Sequence, residues 1–465
     1  MYFSSLIFLF MYLPLVLAVY YLIPTKARNA FLLFVNLIFY GWGEPVFILI
    51  MLLSITVNYI FGLLIEKNRG NERLCKTFVL LSVVISLGFL GIFKYTNFIN
   101  GLLRQIPLFV ALPKTNIPLP IGISFYTFQA MSYTIDVYRN DTKAQKSLVN
   151  FGTYVSFFPQ LIAGPIVRYK DIALQLDERK ENIEKFASGI RRFTVGLAKK
   201  VLIANQMGFL WDTLRPFGEA NGVLGSWIAI SAYALQIYFD FAAYSDMAIG
   251  LGRMFGFEFL ENFDYPYISR SITEFWRRWH MSLGTWFRDY VYIPLGGNRC
   301  KLSRHIFNLF VVWALTGFWH GASTNFIVWG IYFFVLLVLE KFVYGKALAK
   351  LPRVFGHIYA LFFVLISWVL FYFEDFSLAG EYFKYMFGGA LGVIGSDTAS
   401  IVLGYLPILL FSMLISTPVS KLVYKKVSKL KGYGVAEILL CVLVLIVCTA
   451  SLVSQSYNPF LYFRF

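Results

Sequence analysis

The chain has 465 residues, of which 58% are hydrophobic, 19% aromatic and only 14% charged. Soluble globular proteins carry roughly 45–50% apolar and about 25% charged residues, so this chain lacks the charge to cover a water-facing surface. A mean hydropathy of +0.66 agrees; a soluble enzyme, a disordered chain and a coiled coil are excluded, and an all-α, polytopic integral membrane protein remains. A β-barrel is also disfavoured, because the apolar stretches run about 18–25 residues without the alternation that a polar lumen imposes.

In chain order, apolar runs fall at 2–23, 30–42, 45–65, 77–94, 118–137, 193–214, 224–250, 305–320, 323–343, 355–373, 400–416 and 434–453. They predict about 11–12 transmembrane helices in one membrane-embedded domain, 1–465. N-terminal spans occupy 1–137 and C-terminal spans 355–453, with the motif-bearing region 224–343 between them. The first run has no basic n-region and no small-residue cleavage site, and is expected to remain as a span. A further run, 148–166, is interrupted by Pro159 and Pro165. Irregular backbone is tolerated in a membrane only where protein or water lines it, so this segment is expected to be re-entrant. The four cysteines have neither metal-site nor CxxC spacing.

Net charge is +16, from 41 Lys+Arg against 25 Asp+Glu. In a membrane protein this reads first as basic cytoplasmic loops against anionic lipid headgroups, not as a nucleic-acid surface. With the N-terminus outside and the runs alternating, the cytoplasmic loops hold 33 of the 41 basic residues. The loop 418–433 contributes Lys421, Lys425, Lys426, Lys429 and Lys431 with no acid, while 374–399, on the opposite side, carries Glu374, Asp375, Glu381 and Asp397 against Lys384. A multi-pass cytoplasmic-membrane protein with its N-terminus outside follows.

Three segments place ionisable groups where hydrocarbon is expected. In 224–250, Gln236, Asp240 and Tyr244 share one helix face, with Asp246 nearby. Intramembrane carboxylates need partners or water, so this face is expected to line an interior, most simply as a structural network. In 270–290, Ile272, Phe275, Trp276, Trp279, Leu283, Trp286 and Tyr290 fall at helical spacing opposite Glu274, Arg277, Arg278 and Arg288. That pattern predicts an amphipathic interfacial helix, which either anchors the chain or lets its basic face, with Trp279, hold an anionic substrate. In 305–320, Asn308, Thr316 and His320 lie at multiples of four on one face, and Gly317 and Gly321 form a small-xxx-small pattern inviting a close helix neighbour. His320 is either a hydrogen-bonded packing histidine or part of a reaction; His305 and His357 read as ordinary interfacial residues.

Taken together, several motifs resemble the membrane-bound O-acyltransferase family. They are Phe157–Ile166, Gln236–Gly250, Asn262–Tyr267 followed by Phe275–His280, Arg288–Tyr290 leading to Pro294–Asn298, Thr316–Ala322, and Asn458–Phe465. The last is similar to the bacterial branch that O-acetylates polysaccharide or peptidoglycan, the alginate O-acetyltransferase-like group. The resemblance implies a many-helix bundle thinned by funnels from both faces. It implies His320 as the indispensable catalytic residue, His280 as the second motif histidine, and no bound cofactor or metal. It implies acetyl-CoA as a donor approaching from the cytoplasm, near Arg277, Arg278, Arg288 and Trp279. An extracytoplasmic SGNH (hydrolase-like) acetyltransferase, or polysaccharide export machinery, would be the partner. D-alanyl transfer from a carrier protein to teichoic acid is the nearest alternative chemistry, and a transporter without chemistry is the alternative of another class.

Overall fold

The computed structural model describes residues 1–454, 457, 458, 460 and 461, and among these every regular element is helical. Seven helical stretches are long and apolar enough to cross a bilayer: Ile48–Lys67, Glu72–Leu103, Ile183–Met254, Thr324–Leu348, Arg353–Tyr372, Ser396–Ile415 and Tyr433–Ser454. This number is smaller than the count of apolar runs for two reasons. The runs 193–214 and 224–250 lie in separate helices that Ile183–Met254 joins across a kink at Gly218 (φ 54°, ψ −124°), and four others form shorter or more polar helices. Arg28–Gly41, for example, has 14 residues, a rise of about 21 Å against a hydrocarbon core of about 30 Å.

The chain divides into two compact units. The first comprises Met1–Phe193 and Tyr244–Leu260. Here the helices Ile48–Lys67, Glu72–Leu90 and Ile123–Tyr138 pack together, and their apolar composition gives no reason to prefer one another over lipid. Directional bonds and close contacts supply the reason. Asn58 Nδ2 donates to Ser86 Oγ at 3.3 Å and Asn58 Oδ1 accepts from Ser82 Oγ at 2.8 Å, while Ser82 meets Thr134 Oγ1 at 2.9 Å. Gly62 lets the Tyr133 ring lie directly on the helix.

The proline-broken segment also belongs to this unit. It forms two short helices, Leu148–Ser156 and Phe158–Leu161, separated at Phe157, where ψ is 108°. Residues 151–167 are all buried, and the freed backbone groups find partners: Phe158 N–H donates to Asn36 Oδ1 at 3.2 Å, and the Tyr154 carbonyl accepts from Gln160 Nε2 at 2.6 Å.

The second unit comprises Thr194–Ala243 and Glu261–Phe465. Its centre is an antiparallel pair, Leu302–His320 and Thr324–Leu339, joined by a three-residue turn. Three glycines explain how closely the pair packs. A Cβ on Gly317 would strike the Phe326 carbonyl, one on Gly330 the Trp313 carbonyl, and one on Gly321 the Phe326 ring. The close neighbour invited by the Gly317/Gly321 pattern is therefore the very next helix. Tyr433–Ser454 buries only Cys448, leaving an apolar, outward-facing surface suited to lipid.

The segment 270–290 departs from the single amphipathic helix expected of it. It forms two short helices, Ile272–Arg278 and Met281–Phe287, and the chain turns between them at His280, with φ 45° and ψ 51°. Ile272, Phe275, Trp279, Leu283 and Trp286 are buried in protein rather than laid on a lipid surface. The helical spacing was real, but Asn262 captures the backbone at the break. Its carbonyl accepts from Met281 N–H at 2.9 Å, while Asp264 N–H donates to the Arg278 carbonyl at 2.9 Å. Those two bonds replace the helical bonds lost at the turn.

Candidate active site

His320 is the last residue of the Leu302–His320 helix, which ends because Gly321 adopts an extended conformation. Its imidazole is boxed by three aromatic rings with centroids 5.0–5.5 Å away: Trp329, Trp319 and Phe371, each nearly perpendicular to it. The histidine lines a small cavity within the second unit. Ile237, Asp240 and Phe241 contribute one part of its lining, and Trp279 comes from the break beside His280. Trp329, Trp368 and Phe371 add an aromatic wall, and Phe460 and Leu461 complete the lining. Among these residues only His320 and Asp240 can ionise, so proton transfer at this place depends on very few groups.

Asp240 is tied down on both oxygens. Lys200 Nζ lies 2.6 Å from Oδ1, with both side chains at most 4% exposed, and Oδ2 accepts from the Leu461 N–H at 2.9 Å. A buried carboxylate needs such compensation to persist.

His280 lies behind this cavity. Its ring is 4.7 Å from Phe241 and 5.6 Å from Trp319, itself 5.1 Å from the His320 ring. Trp319 is therefore the ring between the two histidines. Asn262 Oδ1 sits 3.2 Å from His280 Nδ1 and accepts from the Ser282 N–H at 3.2 Å and from Ser282 Oγ at 2.9 Å. The backbone donor identifies that atom as oxygen, so Nδ1 carries the hydrogen and Nε2 holds the lone pair. Nε2 is buried without a hydrogen-bond partner among the described residues, and burial pushes the imidazole down to about 3. The ring is neutral at physiological pH.

The arginines of this segment are placed differently from one another. Arg278 is held by Glu274 Oε1 at 3.1 Å and Asp264 Oδ2 at 2.8 Å. Burial raises the Glu274 carboxyl, but bonds from the Arg270 N–H and the Arg278 guanidinium more than offset it, leaving it below its usual range. Arg277 and Arg288 are exposed, and Arg288 Nε contacts Asp289 Oδ1 at 2.8 Å.

The polar stripe on Leu302–His320 is divided. Asn308 is fully buried far from His320, where its Nδ2 donates to the Gly297 carbonyl at 3.0 Å and braces the loop that precedes the helix. Thr316 returns its hydroxyl to the Val312 carbonyl at 2.8 Å. Gln236 packs against Gly208. Tyr244 and Asp246 belong to the first unit, Tyr244 stacked on Phe3 at 4.6 Å and Asp246 paired with Arg192 at 2.6 Å. His305 Nε2 lies 2.9 Å from Tyr292 Oη and 3.1 Å from Lys341 Nζ, and His357 Nδ1 lies 3.3 Å from the Ser269 carbonyl.

Sequence reasoning did not single out Lys200, Asn262, Trp329, Trp368 or Phe371. Lys200 left a signal, the Lys199–Lys200 pair inside the apolar run 193–214. The aromatic residues left none, since nearly a fifth of the chain is aromatic.

The model of the membrane-bound O-acyltransferase family matches residues 114–379, which include both histidines and most of the cavity. The chain belongs to this family. It is an O-acyltransferase and a multi-pass membrane protein. It is 42% identical to the probable alginate O-acetylase AlgI of Pseudomonas aeruginosa over 426 residues, covering 89% of this chain and 82% of that protein. The peptidoglycan O-acetyltransferase of Helicobacter pylori is 31% identical, with 83% and 80% covered. The teichoic acid D-alanyltransferase of Bacillus subtilis is also 31% identical, but over only 50% of this chain and 61% of that one.

Proposed function

We propose that this acyltransferase takes an acetyl group from cytoplasmic acetyl-CoA and passes it across the cytoplasmic membrane for O-acetylation of an exported or cell-envelope polysaccharide. The observation that carries the reading is His320 on the wall of an aromatic cavity whose only other ionisable lining group among the described residues, Asp240, is already committed to Lys200 and a backbone amide. His320 accepts the proton of an attacking hydroxyl. The oxygen adds to the thioester carbonyl, and the tetrahedral intermediate collapses to an ester. The coenzyme A thiolate leaves and recovers the proton from the imidazolium. Aromatic walls exclude the water that would otherwise hydrolyse the donor.

His280 acts behind the wall as a positioning residue, fixing Trp319 and Phe241 around the reacting group. Coenzyme A is strongly anionic, and the exposed Arg277 and Arg288 provide charge for it, while Arg278 keeps the surrounding loop in shape. The acceptor hydroxyl belongs to an extracytoplasmic transferase of the SGNH type or to the glycan itself. The long coverage of the acetyl-transferring relatives favours acetyl over D-alanyl. The N-terminus faces outside, as the basic loops indicate.

The test is release of free thiol from radiolabelled acetyl-CoA by the purified protein with a polysaccharide acceptor present, and with D-alanyl carrier protein as the competing donor. His320→Ala is expected to lower the acetyl-CoA rate at least 1,000-fold with the fold intact. Full turnover by that variant, or turnover only with the D-alanyl donor, overturns the reading.

A further inference from the structure

The cavity lining includes two residues from the far end of the sequence, Phe460 and Leu461. They are seated by a run of contacts along the stretch of helix from Lys200 to Asp212. Tyr457 Oη donates to Asp212 Oδ2 at 2.7 Å, and Asn205 Nδ2 donates to Asn458 Oδ1 at 3.2 Å. The Phe460 ring centroid lies 5.9 Å from Lys200 Nζ, and the Leu461 N–H reaches Asp240 Oδ2 at 2.9 Å. Gly208 permits the approach, since a Cβ there would come within 2.8 Å of Tyr457 Oη. One of the partners, Asp240, itself lines the cavity. Lys200 balances its charge through Oδ1 and leaves Oδ2 for the backbone donor, a charge-assisted bond stronger than a neutral one.

We propose that this C-terminal strap is the size filter of the acyl site, with Phe460 as the specificity-determining side chain and the Lys200–Asp240 pair as its anchor. The inference rests on the acyltransferase reading above and adds the part of the molecule that limits acyl length. Phe460 closes a cavity whose other aromatic walls are Phe241, Trp329, Trp368 and Phe371, held within helices, and Trp279 at the break beside His280. Among the described residues its ring is the aromatic wall element carried by the strap, and so the one whose removal lengthens the space without cutting into the helical pack.

The experiment compares acetyl-, butyryl- and hexanoyl-CoA as donors, by thiol release from the purified protein in detergent with the same polysaccharide acceptor present. Phe460→Ala is expected to raise the butyryl-to-acetyl ratio of kcat/KM at least tenfold, and Phe460→Tyr to keep the native ratio. An unchanged ratio in Phe460→Ala overturns the proposal. A second arm needs no turnover. With the native cysteines replaced by alanine, Phe241→Cys (or Phe371→Cys, should that variant not fold) is labelled with a small methanethiosulfonate reagent. Adding Phe460→Ala is expected to raise the labelling rate tenfold or more, and equal rates overturn the proposal. Absence of acetyl-CoA turnover in the native protein defeats the proposed function instead, and the labelling arm then decides the strap alone.

Discussion

The buried pair Lys200–Asp240 gives the sharpest energetic test of the cavity. At 2.6 Å and an effective dielectric of about 20, the attraction is about 6 kcal/mol, but removing two ions from water costs several kcal/mol each, so the pair nearly breaks even. The asymmetry appears when one partner is removed. Lys200→Met leaves a buried carboxylate with only the Leu461 N–H, and Asp240→Leu leaves a buried ammonium and an orphaned amide. Each is expected to cost about 3–5 kcal/mol. The double variant replaces two ions by apolar groups of similar size and should cost only about 1–2 kcal/mol. The coupling energy is then at least about 4 kcal/mol. It can be measured by denaturant titration in mixed micelles followed by circular dichroism, with all four corners of the cycle in one detergent. If the two single losses simply add up in the double variant, the side chains do not compensate each other and the account of the cavity floor is wrong.

Two further outcomes follow from the segment around His280. Glu340 is buried and accepts from Ile272 N–H at 2.7 Å and Thr273 N–H at 2.9 Å, capping the first of the two short helices. Glu340→Ala should destabilise the protein by about 3–5 kcal/mol and Glu340→Gln, which keeps one acceptor, by about half as much; equal effects in the same denaturant titration would rule out the capping role. The His280 imidazole is pushed down to about 3 by burial, whereas an unfolded histidine titrates near about 6.5. Between those values the unfolded chain binds the extra proton, so the contribution is complete above pH 6.5 and falls away as the pH drops towards 3. Native protein should lose about 2 kcal/mol from this group between pH 7.5 and 5.0, and His280→Gln should lose correspondingly less; parallel stability-against-pH curves for the two proteins would refute it.

The all-helical, multi-pass character was legible because hydrocarbon demands long apolar runs and too little charge remained for a soluble surface. The break at 148–166 was legible too, since two prolines must leave backbone groups that only surrounding protein can satisfy. His320 stood out because an ionisable imidazole in an apolar, glycine-flanked helix is costly, and the structure puts it on a cavity wall. Other features depended on partners distant in sequence. Helical spacing in 270–290 matched a continuous helix, yet Asn262, contributed from outside the segment, supplies the bonds that let the chain turn at His280. Spacing placed Asn308 on the face of His320, but the Gly297 carbonyl competes for its amide and holds it elsewhere. Asp240 was visible as a costly carboxylate, while its two partners lie 40 residues before it and 221 residues after it.

Three of the chain's ten tryptophans, Trp279, Trp329 and Trp368, line the cavity. The site thus carries its own optical reporter. Indole emission responds to the polarity and mobility of its surroundings, so entry of a thioester, or of water after the strap is loosened, alters intrinsic fluorescence without any label. Occupancy can be followed on the millisecond scale by stopped flow, separating arrival of the donor from the chemistry that consumes it.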